Sequence, residues 1–223
     1  MNRLLVISNE RISKEKETFF CDNIDMKTSP EGLSYKFDVS IIARSSEKSR
    51  SHEIKLKKVY LTTSLFSYLK KIKNLTKLND KFLIVSISPY TFISTIFLMF
   101  LRKKPFVYLR SDGYGEYKAI AGNFGKFCYH MMFKIVSKIS HLISCRDYIL
   151  KGQKGDIVSP TQIDSDWLNN PKMPNYEKIK LLYVGRFRIE KGVFSLLEIM
   201  SKNENYTLSI VGIEKEEKRE NLK

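Results

Sequence analysis

Sulfur and imidazole are scarce in this chain. Its three cysteines, Cys21, Cys128 and Cys145, are an odd number, widely spaced and without a Cys-x-x-Cys pair. That pattern excludes a disulfide framework and a structural zinc site, and it fits a reducing compartment. The three histidines, His52, His130 and His141, stand apart and mostly in charged helical settings, so no metal is expected. A Gly-x-Ser-x-Gly elbow is missing, which argues against a serine hydrolase of that type. Helix-turn-helix, ribonucleoprotein and zinc-finger patterns are missing too, so nucleic acid is not an expected partner. The opening "MNRLLVISNE" reaches Asn9 and Glu10 after an apolar run too short for a secretory core.

Acidic residues are also in deficit. Against 39 Lys+Arg stand 24 Asp+Glu, a formal charge of +15 over 223 residues. The surplus has a location: residues 179–223 hold 9 basic and 7 acidic groups, and the rest of the chain 30 and 17. An anionic partner is therefore expected for the first part, with phospholipid and a phosphorylated substrate as the candidates that remain. Hydrophobic residues make up 43% of the chain and aromatic ones 12%, enough for a substantial core. One run, "FLIVSISPYTFISTIFLMFL" at 82–101, has the length of a bilayer span, about 20 residues. Ser86, Ser88 and Pro89 interrupt it, and its β-rich start suits a buried strand, so strand, turn and helix are expected instead.

What is present is alternation. Strands are expected at 3–8, 37–43, 82–88, 105–110, 141–145 and 156–160, with helical period between several of them. Such alternation predicts an α/β fold with a parallel sheet and ligands at the carboxyl ends of its strands. A helix over Leu61–Leu78 would turn Leu61, Leu65, Tyr68, Leu69, Ile72 and Leu75 inward, with Lys70, Lys71, Lys73 and Lys77 away from that stripe. A second, near Asn123–Lys138, would bury Phe124, Phe127, Cys128, Met131, Met132, Ile135 and Val136. Its other side repeats Lys126, His130, Lys134 and Lys138 at four-residue spacing. That ridge suits either a solvated face or anionic lipid headgroups. Residues 161–178, rich in Pro, Asn and Asp, suit an interdomain linker anchored by Trp167. The expected organisation is a domain over 1–160, the linker, and a second domain begun at 179–223.

The stretch "LLYVGRFRIEKGVFSLLEIM", followed by "YTLSIVG", occupies 181–200 and 206–212. Gly185 ends a strand with a turn that a side chain would crowd. Arg186 projects from the carboxyl end of that strand, and Lys191 precedes a helix beginning near Gly192. A guanidinium fork and an ammonium beside free helix amides suit a diphosphate. A basic loop closing an ordinary strand–helix unit has the same sequence signature.

This stretch closely resembles the start of the C-terminal domain in glycosyltransferase family 4, retaining enzymes of GT-B fold. Arg186, Glu190, Lys191, Gly192 and Gly212 match in type and order. Upstream, "HLISCRDYILKG" and "IVSPTQIDSDWL" are similar more loosely to the family's last strand and helix before the linker and to its crossing segment. The resemblance implies two Rossmann-like domains, an acceptor side first and a nucleotide-sugar donor side second. It implies that Gly185, Arg186 and Lys191 hold the donor diphosphate and stabilise the leaving group. The implied activity is sugar transfer from a nucleotide-sugar to a glycan or lipid-linked acceptor in cell-surface polysaccharide biosynthesis. It would take place in the cytoplasm or on the inner face of the cytoplasmic membrane, with no metal or other cofactor.

Two family features are absent. The histidine that the family places after the strand at 105–110 is replaced by "RSDGYGEY", where Asp112 is the nearest polar substitute and Arg110 and Ser111 share the strand end. Asp112 is equally suited to an Asp-Gly turn. The glycine-rich turn after the first strand is "VISNERISKEK", without glycine, leaving Asn9, Glu10 and Arg11 at that strand end, with Asn9 and Arg11 the acceptor-side candidates. A full donor domain takes roughly 150 residues more, including an acidic Glu…Glu motif. The expectation is therefore an acceptor domain with the first donor unit, cut short and incomplete as a catalyst. A two-chain transferase whose second chain completes the donor domain, and a non-catalytic basic membrane-binding module, are the alternatives.

Overall fold

In the computed structural model, residues 2–159, 169, 180–185, 187, 191–202 and 206–212 are described. The expectations for Trp167, Arg186, Glu190 and the charged end after Gly212 lie outside them. So does that for the linker, residue 169 apart. The chain divides into two compact units between Gln162 and Ile163.

The first unit alternates as the sequence suggests, with additions. In chain order it runs β1 (Asn2–Glu15), β2 (Thr18–Cys21), α1 (Asp25–Leu33), β3 (Phe37–Ser45), β4 (His52–Ile54), β5 (Val59–Thr62) and α2 (Leu65–Leu75). It continues with β6 (Lys81–Val85), α3 (Pro89–Phe100), β7 (Phe106–Leu109), α4 (Gly113–Ile139), β8 (His141–Ser144), a 3-10 turn at Asp147–Leu150, and β9 (Gly155–Ile157). Seven strands form one parallel sheet in the order β5-β3-β1-β6-β7-β8-β9. Growth runs outward from β1 to β5, then returns across to β6 and proceeds the other way. The point of reversal lies between β1 and β6, where a doubly wound sheet opens a crevice at its carboxyl edge.

Side chains of period two divide the core between the two faces. Leu5, Ile7, Ile42, Phe82, Ile84, Val107, Leu109 and Leu142 join α2, α3 and α4 on one side. Leu4, Val6, Val39, Ile41 and Ala43 pack with Met26 of α1 on the other. Helix starts are specified locally. Ser64 Oγ accepts the Ser67 amide at the start of α2 while the Ser64 amide donates back to Ser67 Oγ, and Ser88 and Thr91 do the same for α3, with Pro89 at the first helical position. Those caps place the turn in 82–101 between strand and helix. Among the described residues no helix is long and apolar enough to cross a membrane.

Four strands depart from the sequence expectation. The strand read at 3–8 runs on to Glu15, past a register break between Ile7 and Arg11. Its far end pairs antiparallel with β2, which pairs with β4. The helix expected over Leu61–Leu78 covers only Leu65–Leu75, because Val59–Thr62 pairs parallel with β3. Leu61 thus belongs to a strand. Tyr68, Ile72 and Leu75 are buried as expected, Lys70, Lys73 and Lys77 are exposed, and the Lys71 ammonium sits 4.4 Å from the centre of the Tyr60 ring.

Helix α4 carries a larger correction. It begins ten residues earlier than expected and breaks at Ala121–Gly122, where Gly122 has φ +60° and ψ −146°, a conformation open only to glycine. The break rotates the second half. Gly125, Tyr129, Met132, Phe133 and Val136 face inward, whereas Phe124, Phe127, Met131 and Ile135 are exposed. The inward face contains small Gly125, against which the Tyr117 carbonyl packs, and a ring cluster of Tyr114, Tyr117, Tyr129 and Phe133. Gly113 is pressed into the same cluster: a Cβ there would stand 2.1 Å from Tyr129 Cζ. Tyr129 is buried between its neighbours and has no free direction to move. Gly113→Ala is therefore expected to cost about 1–3 kcal/mol by overpacking, read as a lower urea midpoint at unchanged slope.

The second unit contains β10 (Lys180–Val184), α5 (Val193–Ser201) and β11 (Thr207–Val211). The two strands pair parallel from Lys180–Thr207 to Val184–Val211, which requires a crossover such as α5.

Candidate functional site

The carboxyl edge of the first sheet gathers charged groups around the point of reversal. Where β1 parts from β6, Ser8 Oγ accepts the Glu10 amide at 3.1 Å and the Tyr68 hydroxyl donates to the Ser8 carbonyl at 2.7 Å. Tyr68 meets Tyr90 edge-on at 5.6 Å, and the Arg44 guanidinium lies 4.6 Å from the Tyr90 ring centre. Arg44 also donates to Asn9 Oδ1 at 3.4 Å. At the end of β7, Arg110 donates to Asp25 Oδ2 at 3.2 Å and to Ser86 Oγ at 3.4 Å. Ser86 itself has φ +61°, a strained value for a residue with a Cβ.

The sequence candidates divide between this crevice and other places. Asn9 and Arg110 are half-buried there, each tied to a partner, and Ser111 is half-buried at the same strand end. Arg11 is exposed on the continuation of β1, where it pairs with Arg44 along the strand. Glu10, between Asn9 and Arg11, is half-buried. Burial pushes its carboxyl above the ordinary range, Arg110 and Arg50 pull it part of the way back, and Asp22 adds to the rise. Its signal in the sequence is an acid set directly after an apolar strand. Arg44, Tyr90, Asp25 and Ser86 carry no comparable signal, since only the crossing of β3, α3, α1 and β6 brings them to one edge.

Because the folded protein holds the Glu10 proton more tightly than the unfolded chain, Glu10 favours the folded state at low pH. That contribution is lost as pH rises from the ordinary carboxylate value of about 4.3 through the raised one. Glu10→Gln is expected to flatten this part of the stability profile, checked by urea unfolding at a series of pH values.

Asp112 is the N-cap of α4. Its Oδ1 accepts the Tyr114 amide at 3.3 Å, and the Lys151 ammonium stands 3.5 Å away. A capping acid at a helix start is stabilising on its own account. It also lines an open cleft of about 470 Å³ with Tyr114, Gly115, Lys118, Lys126 and Lys151. Among the described residues, no group of three or more His, Cys, Asp or Glu is placed to hold a metal ion.

In the second unit the turn after β10 is built on close backbone contact. The Gly185 amide donates to the Val211 carbonyl at 3.0 Å, and a Cβ on Gly212 would meet the Gly185 carbonyl oxygen at 2.1 Å. Gly192 caps α5 at φ +71°, and Lys191 is exposed immediately before it. Lys191 thus directly precedes the N-terminus of α5 in the connection that follows β10, where free helix amides favour an anion. Arg186 lies outside the described residues.

No protein-family model matches the sequence, and no curated protein matches it. Similarity appears among solved structures. Staphylococcus aureus MnaA, determined together with UDP, matches 97% of this chain and 63% of its own at 13% identity, with a TM-score of 0.51. A Listeria monocytogenes protein assigned as a UDP-N-acetylglucosamine 2-epimerase matches 94% of this chain and 62% of its own at 12% identity, with a TM-score of 0.48. The chain thus spans less than two thirds of either neighbour's length. At these identities the likeness concerns the fold, and that fold is α/β, Rossmann-like and of GT-B type.

Proposed function

We propose that this chain handles a nucleotide-sugar, and that its reaction is sugar transfer of the family 4 kind onto a glycan or lipid-linked acceptor. The observation that carries the reading is the second unit: a parallel β10–α5–β11 crossover with Gly185 and Gly212 in contact at the strand ends and Lys191 at the helix start. That arrangement suits a diphosphate, and in this reading Gly185, Arg186 and Lys191 hold the donor's. The S. aureus neighbour of like fold is a complex with UDP, which is compatible with a nucleotide-sugar donor here. The acceptor is assigned to the carboxyl edge of the first unit, near Asn9, Arg11, Arg110 and Ser111. Asp112, beside a cleft lined by three lysines, is the acidic group assigned to the acceptor hydroxyl. The setting proposed is cytoplasmic.

The test is incubation of the longest natural polypeptide carrying this sequence with a panel of UDP-, GDP- and dTDP-sugars, with and without a membrane extract as acceptor source. Mass spectrometry then follows both substrates. Sugar appearing on an acceptor with release of nucleoside diphosphate supports the proposal. Inversion within the nucleotide-sugar without any acceptor, or no turnover of any donor, overturns it.

A further inference from the structure

We infer that the outer face of α4 docks on an anionic lipid bilayer. The break at Ala121–Gly122 turns a row of large apolar side chains to solvent: Ile120 is 79% exposed, Phe124 73% and Phe127 60%, with Met131 and Ile135 continuing the row. The spacing from Phe124 to Ile135, by three and then four residues, makes one stripe along the helix. Beside it runs the exposed ridge of Lys126, His130, Lys134 and Lys138. Helix α3, which packs against α4, ends in exposed Met99 and Phe100, followed by exposed Arg102 and Lys104. An apolar row of this size on a solvent-facing helix marks a contact surface. Next to a cationic row it has the composition of an interfacial helix.

Charge decides the occupant. A twofold contact with a second copy would set the lysine ridge near itself, because such an interface uses the same patch on both sides. A bilayer carrying anionic headgroups instead meets the lysines with phosphate and the rings with acyl chain. The ridge of α4 also continues toward Lys118 and Lys151 around the open cleft by Asp112, so the cationic surface is broader than one helix edge. Each lysine near an anionic surface contributes on the order of 1 kcal/mol, and the buried apolar area adds to it. The inference is independent of the proposed transfer reaction: it concerns where the chain sits and not what it converts.

The experiment is flotation of the full chain with phosphatidylcholine vesicles, with and without phosphatidylglycerol, at about 0.1 M and 1 M salt, where the Debye length falls from about 10 Å to 3 Å. Two variants accompany it, Phe124→Ser/Phe127→Ser and Lys126→Gln/Lys134→Gln/Lys138→Gln. All five side chains are exposed, and circular dichroism with thermal melting checks that both variants fold. The expected result is binding to phosphatidylglycerol vesicles at low salt and release at high salt. The lysine variant should lose about a hundredfold in partitioning, and the phenylalanine variant at least tenfold. No flotation of the wild-type chain, equal binding to neutral vesicles, or variants that float as the wild type does would each overturn it. So would a dimer in sizing experiments that Phe124→Ser/Phe127→Ser breaks without any flotation, which assigns the face to a second copy.

Discussion

Replacing Tyr68 with alanine is expected to remove about 3–5 kcal/mol from the stability of the first unit. Tyr68 is fully buried on α2, which packs on β3 and β5. Its ring supports Tyr90 edge-on, Tyr90 carries the Arg44 guanidinium, and Arg44 holds Asn9. Its hydroxyl satisfies the Ser8 carbonyl at the last position where β1 pairs with β6. Truncation leaves a cavity and strips that carbonyl of its donor at once. Tyr68→Phe separates the two effects: it keeps the ring and removes only the hydroxyl, for an expected loss of about 1–3 kcal/mol. Urea unfolding of both variants is the measurement. Domains of this kind have a total of about 5–15 kcal/mol, so the alanine variant should be near the limit of folding at 37 °C. If both variants stay within about 0.5 kcal/mol of the wild type, the ordinary scatter of surface substitutions, the crevice is not built on this side chain.

Loss of either cation at the β10–α5 turn is expected to reduce turnover of a nucleotide-sugar by about 10²–10³ in Arg186→Ala and in Lys191→Ala, under the proposed function. The magnitude is that of one charge-stabilising donor withdrawn from a developing anion. Removal should lower the rate constant as well as weaken donor binding, because negative charge on the diphosphate grows as the glycosidic bond breaks. Lys191→Arg should restore part of the activity, since it keeps the charge but changes a compact ammonium for a planar fork. Lys202→Ala serves as the control: Lys202 follows the other end of α5, paired with Glu198 at 3.0 Å and exposed, and no change is expected. Release of nucleoside diphosphate under saturating acceptor measures all four. Arg186 and Lys191 variants within twofold of the wild type would remove both residues from the diphosphate.

The sequence signals that proved legible were those carried by local period. Buried runs such as Leu4–Ser8 and Phe82–Val85 announce central parallel strands, because such strands are covered on both faces. The interruption at Ser86, Ser88 and Pro89 and the glycines around Lys191 announce element boundaries for reasons contained within four residues, whereas the Ser64 cap lies inside the helix expected over Leu61–Leu78. β2, β4 and β5 are illegible because they owe their existence to pairing with a neighbour in space and not to an apolar run of their own. The inward face of α4 was misjudged for a similar reason. Hydrophobicity alone marks Phe124, Phe127, Met131 and Ile135 for the core, and only packing decides that Gly125 and Tyr129 take the place against the sheet.

The candidate site divides along the same line. Asn9, Arg110 and Asp112 are legible as candidates because each follows an apolar strand, and polar residues there stand at the carboxyl edge of the sheet. Glu10 was passed over, although the same signal applies to it. The ties that hold these groups, Arg110 to Asp25 and Asn9 to Arg44, join residues 85 and 35 positions apart. By itself, then, the sequence determined the alternation of strand and helix, the parallel sheet it demands, and the basic glycine turn before α5. The tertiary structure alone decided which charges meet at the crevice and which rings α4 leaves to solvent. Both depend on the order of strands and on a single backbone break at Gly122, and neither is written in any local period.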